Sequence, residues 1–480
     1  MIGPGNRKKR VDREVDEPTA GVDAKQAVLG SLEALYPWMR PFRSRPVRDY
    51  ASRLFEAPAS RPMPEVRTQA FDKLLGMISK AAARSGLATD TASQICNDFE
   101  KRRVLQTGPH LFLLVEPEAY YTHIFSLLGL TAHGCSTYVS YAVSTVSLVE
   151  KSRKGPGWLT VDGRPMNVFG LSRSHMVGNS LLSGPGSFRF ELLPAEPDAQ
   201  GGAPSLLRAL LPKGQFERPA HAIKAANQAL WPRLFGNRFA FLQIDDEDVA
   251  DLVADHLSDA DSWLRASLLE NPRFASNILD ELDRLAAGPW NGWLARSTDF
   301  FWFYDNGKRL PLRLIAGELV DPSTAVKVAR FTASDIVGRL ASRTLIPNFL
   351  MALMVLSMLP GVRVLGGSHQ PVFYPLMRHV VNRALEASGI DADLRQALAT
   401  DDVPGAWGHR VIDCEGDPLE PFLNDQTDGV SGLLDRLGDM PLVEACGSMK
   451  SFVADPSWHE FSSRMRGGLI TSADEEWALS

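Results

Sequence analysis

The sequence predicts an α/β fold: a Rossmann-like parallel-sheet core with helical insertions and a hairpin, extended by helical segments at both ends. Three observations predict it. Residues 101–149 read as strand, glycine turn, helix, strand, which is a right-handed βαβ unit whose ligands sit at the carboxyl ends of its strands. A second apolar strand, Val362 to Leu365, runs into Gly366-Gly367 and then a helix from Tyr374 to Ala387. Elsewhere strands and helices alternate, with no internal repeat and no heptads.

Within the first unit, Val104 and Leu105 open an apolar run that stops at Thr107-Gly108-Pro109-His110. Glu116-Pro117-Glu118 supplies an acidic, proline-bearing first turn that suits a helix N-terminus. Tyr120, Tyr121, Ile124, Phe125, Leu127 and Leu128 follow at helical spacing, and Gly129 or Gly134 ends the helix. Thr137 to Val149, rich in β-branched and aromatic residues, is the second strand.

The remaining chain divides around this unit. Residues 1–20 form a polar, disordered start, and residues 21–100 a helical segment wrapping the core. In the latter, Ala24 to Tyr36, Arg67 to Arg84 and Thr91 to Lys101 are helices, while proline-rich Pro37 to Pro64 lies extended over the surface. The first half of the core spans 101–193, with short strands and turns from Gly155 to Gly186 and a strand at Phe188 to Leu192. A mostly helical insertion, 194–298, opens with the loop Pro194 to Pro204. Residues 299–387 hold an aromatic hairpin turning at Asp305-Asn306-Gly307, a helix from Thr332 to Arg343, and the second half of the core. Residues 388–480 are a C-terminal extension with short helices at Ser431 to Leu437 and Trp458 to Met465.

Composition narrows the function classes. A net charge of −6 argues against a nucleic-acid or acidic-membrane binder. Four widely spaced cysteines exclude a zinc ribbon or a redox CxxC pair, and sparse thiols fit a reducing cytoplasm. The most apolar run, Asn348 to Leu359, is shorter than the roughly 20 residues of a membrane span and is bounded by Pro347 and Pro360, so it reads as a buried helix. HExxH, P-loop, GxSxG, GxGxxG and the synthetase signatures are all absent, and no metal site is predicted. The run Asp245-Asp246-Glu247-Asp248 reads as helix N-terminal charge, with a carboxylate metal site as the sharper alternative.

The candidate site residues cluster at the two glycine turns. His110 follows one of them at a strand's carboxyl end, where an imidazole can bind an anion or exchange a proton; a turn histidine bonded to backbone is the plainer alternative. Thr107, Gly108, Gly366 and Gly367 would let backbone amides approach an anion, with Ser368, His369, Gln370 and Tyr374 continuing that wall. Ser144 ends the second strand, and Arg343 is either a carboxylate or phosphate clamp or a structural ion pair. His110 and His369 are the catalytic candidates. His123, among aromatic neighbours, reads as packing, Cys135 as a small buried thiol, and His175 as a loop residue.

Three segments together resemble the cysteine-adding enzyme family of bacillithiol biosynthesis. They are the strand entering Thr107-Gly108, the stretch Arg343-Thr344-Leu345-Ile346-Pro347, and Val364-Leu365-Gly366-Gly367 with Tyr374 downstream. The resemblance implies a Rossmann nucleotide-binding core with inserted segments over about two-thirds of the chain. The chain departs from that family at Pro109-His110, which replaces its paired glutamines, at Ser144-Thr145-Val146-Ser147, which lacks its acidic-histidine cluster, and at Ser368-His369-Gln370, which replaces its Pro-Gly-Glu. The expectation is a cytoplasmic biosynthetic enzyme of ligase or transferase type. It would bind ATP, ADP or another nucleotide and join an amino acid or thiol to a small acceptor, with a homodimer left open. The alternative is a non-catalytic binding or scaffold relative that keeps the core and not the reaction. Both require the two glycine bends to shape one cleft.

Overall fold

A computed structural model describes residues 17–58, 63–150, 153–161, 163–183, 186–195, 202–305, 307–401, 405–414, 416, 418, 419 and 429–478. The polar start of the chain and most of the Pro194 to Pro204 loop lie outside these residues.

The molecule is mixed α/β, built on a five-stranded sheet in which every pairing is parallel. Its strands are β1 (Val104–Gln106), β2 (Thr137–Tyr141), β3 (Ala240–Ile244), β4 (Arg363–Gly366) and β5 (Ala406–Trp407). Their spatial order is β5-β4-β1-β2-β3, so the chain winds outward from β1 first one way and then the other. Gln106 faces Leu365 on one side and Ser140 on the other, which sets the register across the middle. β1, β2 and β4 are buried along their whole length, as strands covered on both faces must be.

Two of these strands lie where a helical insertion and a terminal extension were expected. β3 sits between helices Pro219–Phe235 and Asp246–Ser258, and β5 follows residue 388. β3 is masked by the strongly helical patterns on either side of it, and the two residues of β5 are too few to show a period.

The passage from Pro37 to Pro64 is not an extended wrap. It contains a 3₁₀ turn, Pro37–Phe42, and helix α1 (Val47–Phe55), in which Val47, Tyr50, Ala51, Leu54 and Phe55 are buried. These residues recur at helical spacing, and Pro46 stands just before the first turn, where a missing amide hydrogen costs nothing. α1 packs on α2 (Pro117–Ala132), the helix that follows β1. Gly129 lies inside α2 rather than ending it: a Cβ there would come within 2.2 Å of the Phe55 ring, so the glycine admits close helix contact. The helix stops before Gly134, whose φ of +65° lies in the left-handed region that favours glycine. Tyr50 Oη donates to Trp407 O at 2.8 Å, tying α1 to β5, and Arg363 in β4 donates to the C-terminal carbonyls of Leu54 and Glu56.

Other expectations find their elements. The hairpin is Phe301–Asp305 with Lys308–Pro311, joined by Leu345–Pro347 into a separate antiparallel sheet; its turn residue 306 is outside the described set. Phe349 to Met358 forms a helix with a π-turn, with every residue after Phe349 buried. Thr137 to Val149 is strand only as far as Tyr141, and Phe188 to Leu192 holds a single bridge, Phe188 to Phe216. Among the described residues no helix is long and apolar enough to cross a membrane.

Candidate functional site

A cleft of about 1160 Å³ opens beyond the carboxyl ends of the strands and is lined from both sides of the point where strand order reverses. Thr107, Gly108 and His110 line it from the end of β1, and Gly367, Ser368, His369 and Gln370 from the end of β4. The two glycine bends therefore meet at one cavity.

A third turn, absent from the sequence reading, closes the gap between them. Gly408 and His409, just after β5, both donate backbone N–H groups to Gly366 O, at 3.1 and 2.9 Å. Gln106, the fully buried last residue of β1, binds all of this together. Its Oε1 accepts from Gly108 N at 3.0 Å, and its Nε2 donates to Gly408 O at 2.9 Å and Ser126 Oγ at 3.1 Å. A Cβ on Gly108 would lie 2.2 Å from His409 Cβ, whereas one on Gly367 would come no closer than 3.4 Å to the same ring.

His409 is 7% exposed, and burial pushes its pKa down to about 3. Its tautomer follows from its neighbours. Arg410 Nε donates to His409 Nε2 at 3.1 Å, so the proton sits on Nδ1 and is given to Thr122 Oγ1 at 2.8 Å. The Thr122 hydroxyl donates onward to Glu118 O at 2.7 Å and also accepts from Arg410 N. His409 is thus a fixed neutral strut. Arg410 pairs with Glu118, which also binds Lys154 Nζ at 2.9 Å.

The expected catalytic histidines both face carboxylates. His110 Nδ1 lies 2.8 Å from Glu150 Oε1, and its ring stacks on Phe112. His369 Nε2 is bonded to Asp455 and lies beside Trp293, with ring centroids 5.3 Å apart. A carboxylate on one ring nitrogen fixes orientation and tautomer, leaving the other nitrogen outside that pair for proton exchange. The chain near Asp455 forms part of the cleft wall, and Trp458 Nε1 donates to Ser368 O at 2.9 Å, anchoring it to the second bend.

Gln370 begins helix α4 (Gln370–Ser388), so its side chain and the preceding Gly367-Ser368 turn lie at the positive end of a long helix dipole. Thr107 Oγ1 lies 3.0 Å from both Leu365 O and Gln370 Oε1, and its single proton satisfies one of them at a time. Gln370 is 2% exposed and its Nε2 has no partner, which marks a polar group short of a bond at the cleft wall.

Four expected site residues stand apart from the lining. Gly366 lies beneath it, carrying the Gln370 side chain where a Cβ would be. Tyr374 points into the core, its Oη 2.6 Å from Ser357 Oγ. Ser144 is fully buried and serves Asp246 instead. Arg343 is a structural ion pair, bound to Asp251 at 2.5 Å beside Glu247, because its helix ends against the acidic start of helix α3 (Asp246–Ser258).

That acidic run is mostly helix charge held by cations. Asp245 and Asp248 share Lys224, and Asp248 also takes Arg84. Asp246 alone reaches the cleft. Its carboxylate accepts from Tyr141 Oη at 2.5 Å, Ser144 N at 2.7 Å and Thr145 N at 2.6 Å. Burial still raises its pKa, an effect those bonds only partly offset. Close by on the cleft wall lies Arg309, with Cζ 4.4 Å from the Trp302 ring centre and Nη1 donating to Thr145 O at 2.6 Å. Among the described residues no group of three or more His, Cys, Asp or Glu side chains is placed to hold a metal ion. His123 is fully buried against Tyr138, with its pKa pushed down to about 3 by burial.

Arg309, Trp302 and Arg410 escaped sequence reasoning because each sits on an element distant in sequence from the two glycine turns. The one local signal was Gly408-His409-Arg410, a glycine followed by a histidine and an arginine after a short aromatic strand. No protein-family model and no curated protein matches the sequence, so the cleft must be read from its own geometry.

Proposed function

We propose that the chain is a small-molecule biosynthetic enzyme on a Rossmann-like core, whose cleft binds a nucleotide or another anionic small molecule and joins an amino acid or thiol to a small acceptor. The observation that carries this reading is the meeting of the Gly108 and Gly367 bends at one cleft, where the order β3-β2-β1-β4-β5 reverses. The α4 N-terminus, behind the cleft-lining Gly367-Ser368 turn, favours an anion at the second bend. Arg309, stacked on Trp302, offers further guanidinium donors to the opposite wall. Similarity of the Thr107-Gly108, Arg343 to Pro347 and Gly366-Gly367 segments to the cysteine-adding family of bacillithiol biosynthesis supports the core and the place of the cleft, and the joining of an amino acid or thiol to an acceptor in a cytoplasmic setting is our own extension of it.

In this reading His110 and His369 move protons, each oriented by its carboxylate, while the backbone turns and Arg309 hold charge. Calorimetric titration with ATP, ADP and AMP tests it. Micromolar to millimolar binding to the wild-type chain is expected, weakened at least about tenfold by Gly367→Val or Arg309→Ala. No heat with any nucleotide overturns the nucleotide site.

One observation favours a non-catalytic binding protein: Arg410, His369 and His110 are each already paired with a carboxylate of the chain itself. Single-turnover assays with cysteine and other amino acids separate the two readings, since only an enzyme forms a new bond.

A further inference from the structure

The cleft is larger than the roughly 300–1,000 Å³ of ordinary small-molecule sites, and its chemistry changes along its length. Helix α4 shows the change. Gln370, Phe373 and Met377 share one face at helical spacing and all line the cleft. Their neighbours Val372, Leu376 and Val380 are fully buried in the core, while Phe373 and Met377 are left partly open. Phe349 meets Phe373 edge to face with centroids 5.3 Å apart, and Leu282 and Leu294 complete an apolar trough.

The charge at this end is already used up. Arg296 Nε and Nη2 each lie 2.7 Å from an Asp299 carboxylate oxygen, and Nη1 binds Asp283 at 2.5 Å. A trough of partly open aromatic and thioether side chains, beside an arginine with no spare charge, suits an uncharged, apolar occupant. From Gln370 to Met377 the helix advances about 10 Å.

We infer that the small-molecule acceptor is amphiphilic: an anionic head seated at the Gly367–Gln370 turn, and an aliphatic chain of medium length lying along Phe373 and Met377. The inference rests on the anion seat proposed above. It adds that the acceptor is an acyl-chain compound rather than a sugar or other polar molecule, because a hydroxylated body would leave its polar groups unpaired against Phe349, Phe373 and Met377.

The test is calorimetric titration of the full chain with acetate, butanoate, hexanoate, octanoate and decanoate, alongside AMP and ATP. Affinity is expected to rise about fourfold per methylene up to octanoate, the increment for burying each methylene. Met377→Trp, which fills the trough with apolar bulk, and Met377→Glu, which charges it two turns away from the anion seat, should each weaken octanoate at least tenfold while leaving nucleotide affinity within about twofold. Retained nucleotide binding also reports that the variants are folded. A flat response along the chain-length series, with nucleotides still bound, overturns the amphiphilic acceptor and spares the nucleotide reading. Octanoate binding that both variants leave unchanged also overturns it. Chain-length-dependent binding without any nucleotide binding supports the trough and removes the nucleotide.

Discussion

Gly108 and Gly367 look alike in sequence, each a glycine closing a strand, but they tolerate change differently. A Cβ at Gly108 would collide with His409, which is pinned by Thr122 and Arg410. Gly108→Ala is therefore expected to destabilise the fold by about 1–3 kcal/mol, measured by urea denaturation. At Gly367 a Cβ meets only ordinary contact distances, so Gly367→Ala should leave the denaturation midpoint nearly unchanged and weaken anion binding instead. Sequence alone showed both turns, because glycine after an apolar run is a local signal. It could not show that His409, far along the chain from Gly108, stands between them. Nor could it tell Ser144 and Tyr374, which serve the core, from Ser368 and Gln370, which face the cleft. Polarity at a strand or helix end looks the same whichever way the side chain points.

At the scale of elements, helix α1 was hidden by prolines that flank it without entering it. Its fully buried Leu54 sits in the apolar face that meets α2, and Leu54→Ala is expected to cost about 2–5 kcal/mol by thermal or urea denaturation. An exposed wrap would lose almost nothing. Helix α3 carries a pH dependence at its start. Burial holds the Asp245 carboxyl well above its ordinary 3.8, with Lys224 only partly offsetting it. At Asp248 burial also pushes upward, but Lys224 and Arg84 outweigh it and hold that carboxyl low. Between 3.8 and its raised value, Asp245 keeps a proton in the folded protein that the unfolded chain has released. Its contribution to stability therefore falls as pH rises through that window. Asp248 acts oppositely, its stabilising charge being lost only in stronger acid. Asp245→Asn, which retains an N-cap side chain, should flatten the decline toward neutral pH in denaturation midpoints measured from about pH 4 to 7. An unchanged slope would show that Asp245 titrates normally.

At the scale of the whole molecule, the last quarter of the chain belongs to the core. β5 completes the sheet, Trp407 and Trp458 are fully buried, and Asp455 and Trp458 hold the second glycine bend. Truncation before residue 405 is expected to abolish cooperative melting followed by circular dichroism, whereas a dispensable extension would leave a sharp transition. The α/β class and the first βαβ unit were legible because strand, glycine turn, helix and strand follow one another directly along the chain. β3 and β5 were not, since strand order is decided by pairing across hundreds of residues and leaves no local mark. The Gln106 bond to Gly408 spans 302 positions. As the polypeptide leaves the ribosome, the first half of the cleft must therefore wait, its buried amides uncovered, until the segment around Gly408 has been made. Closure over such distances is slow. Any small molecule that fits the finished cleft would then stabilise the entire chain at once, making the protein's abundance track the supply of that ligand.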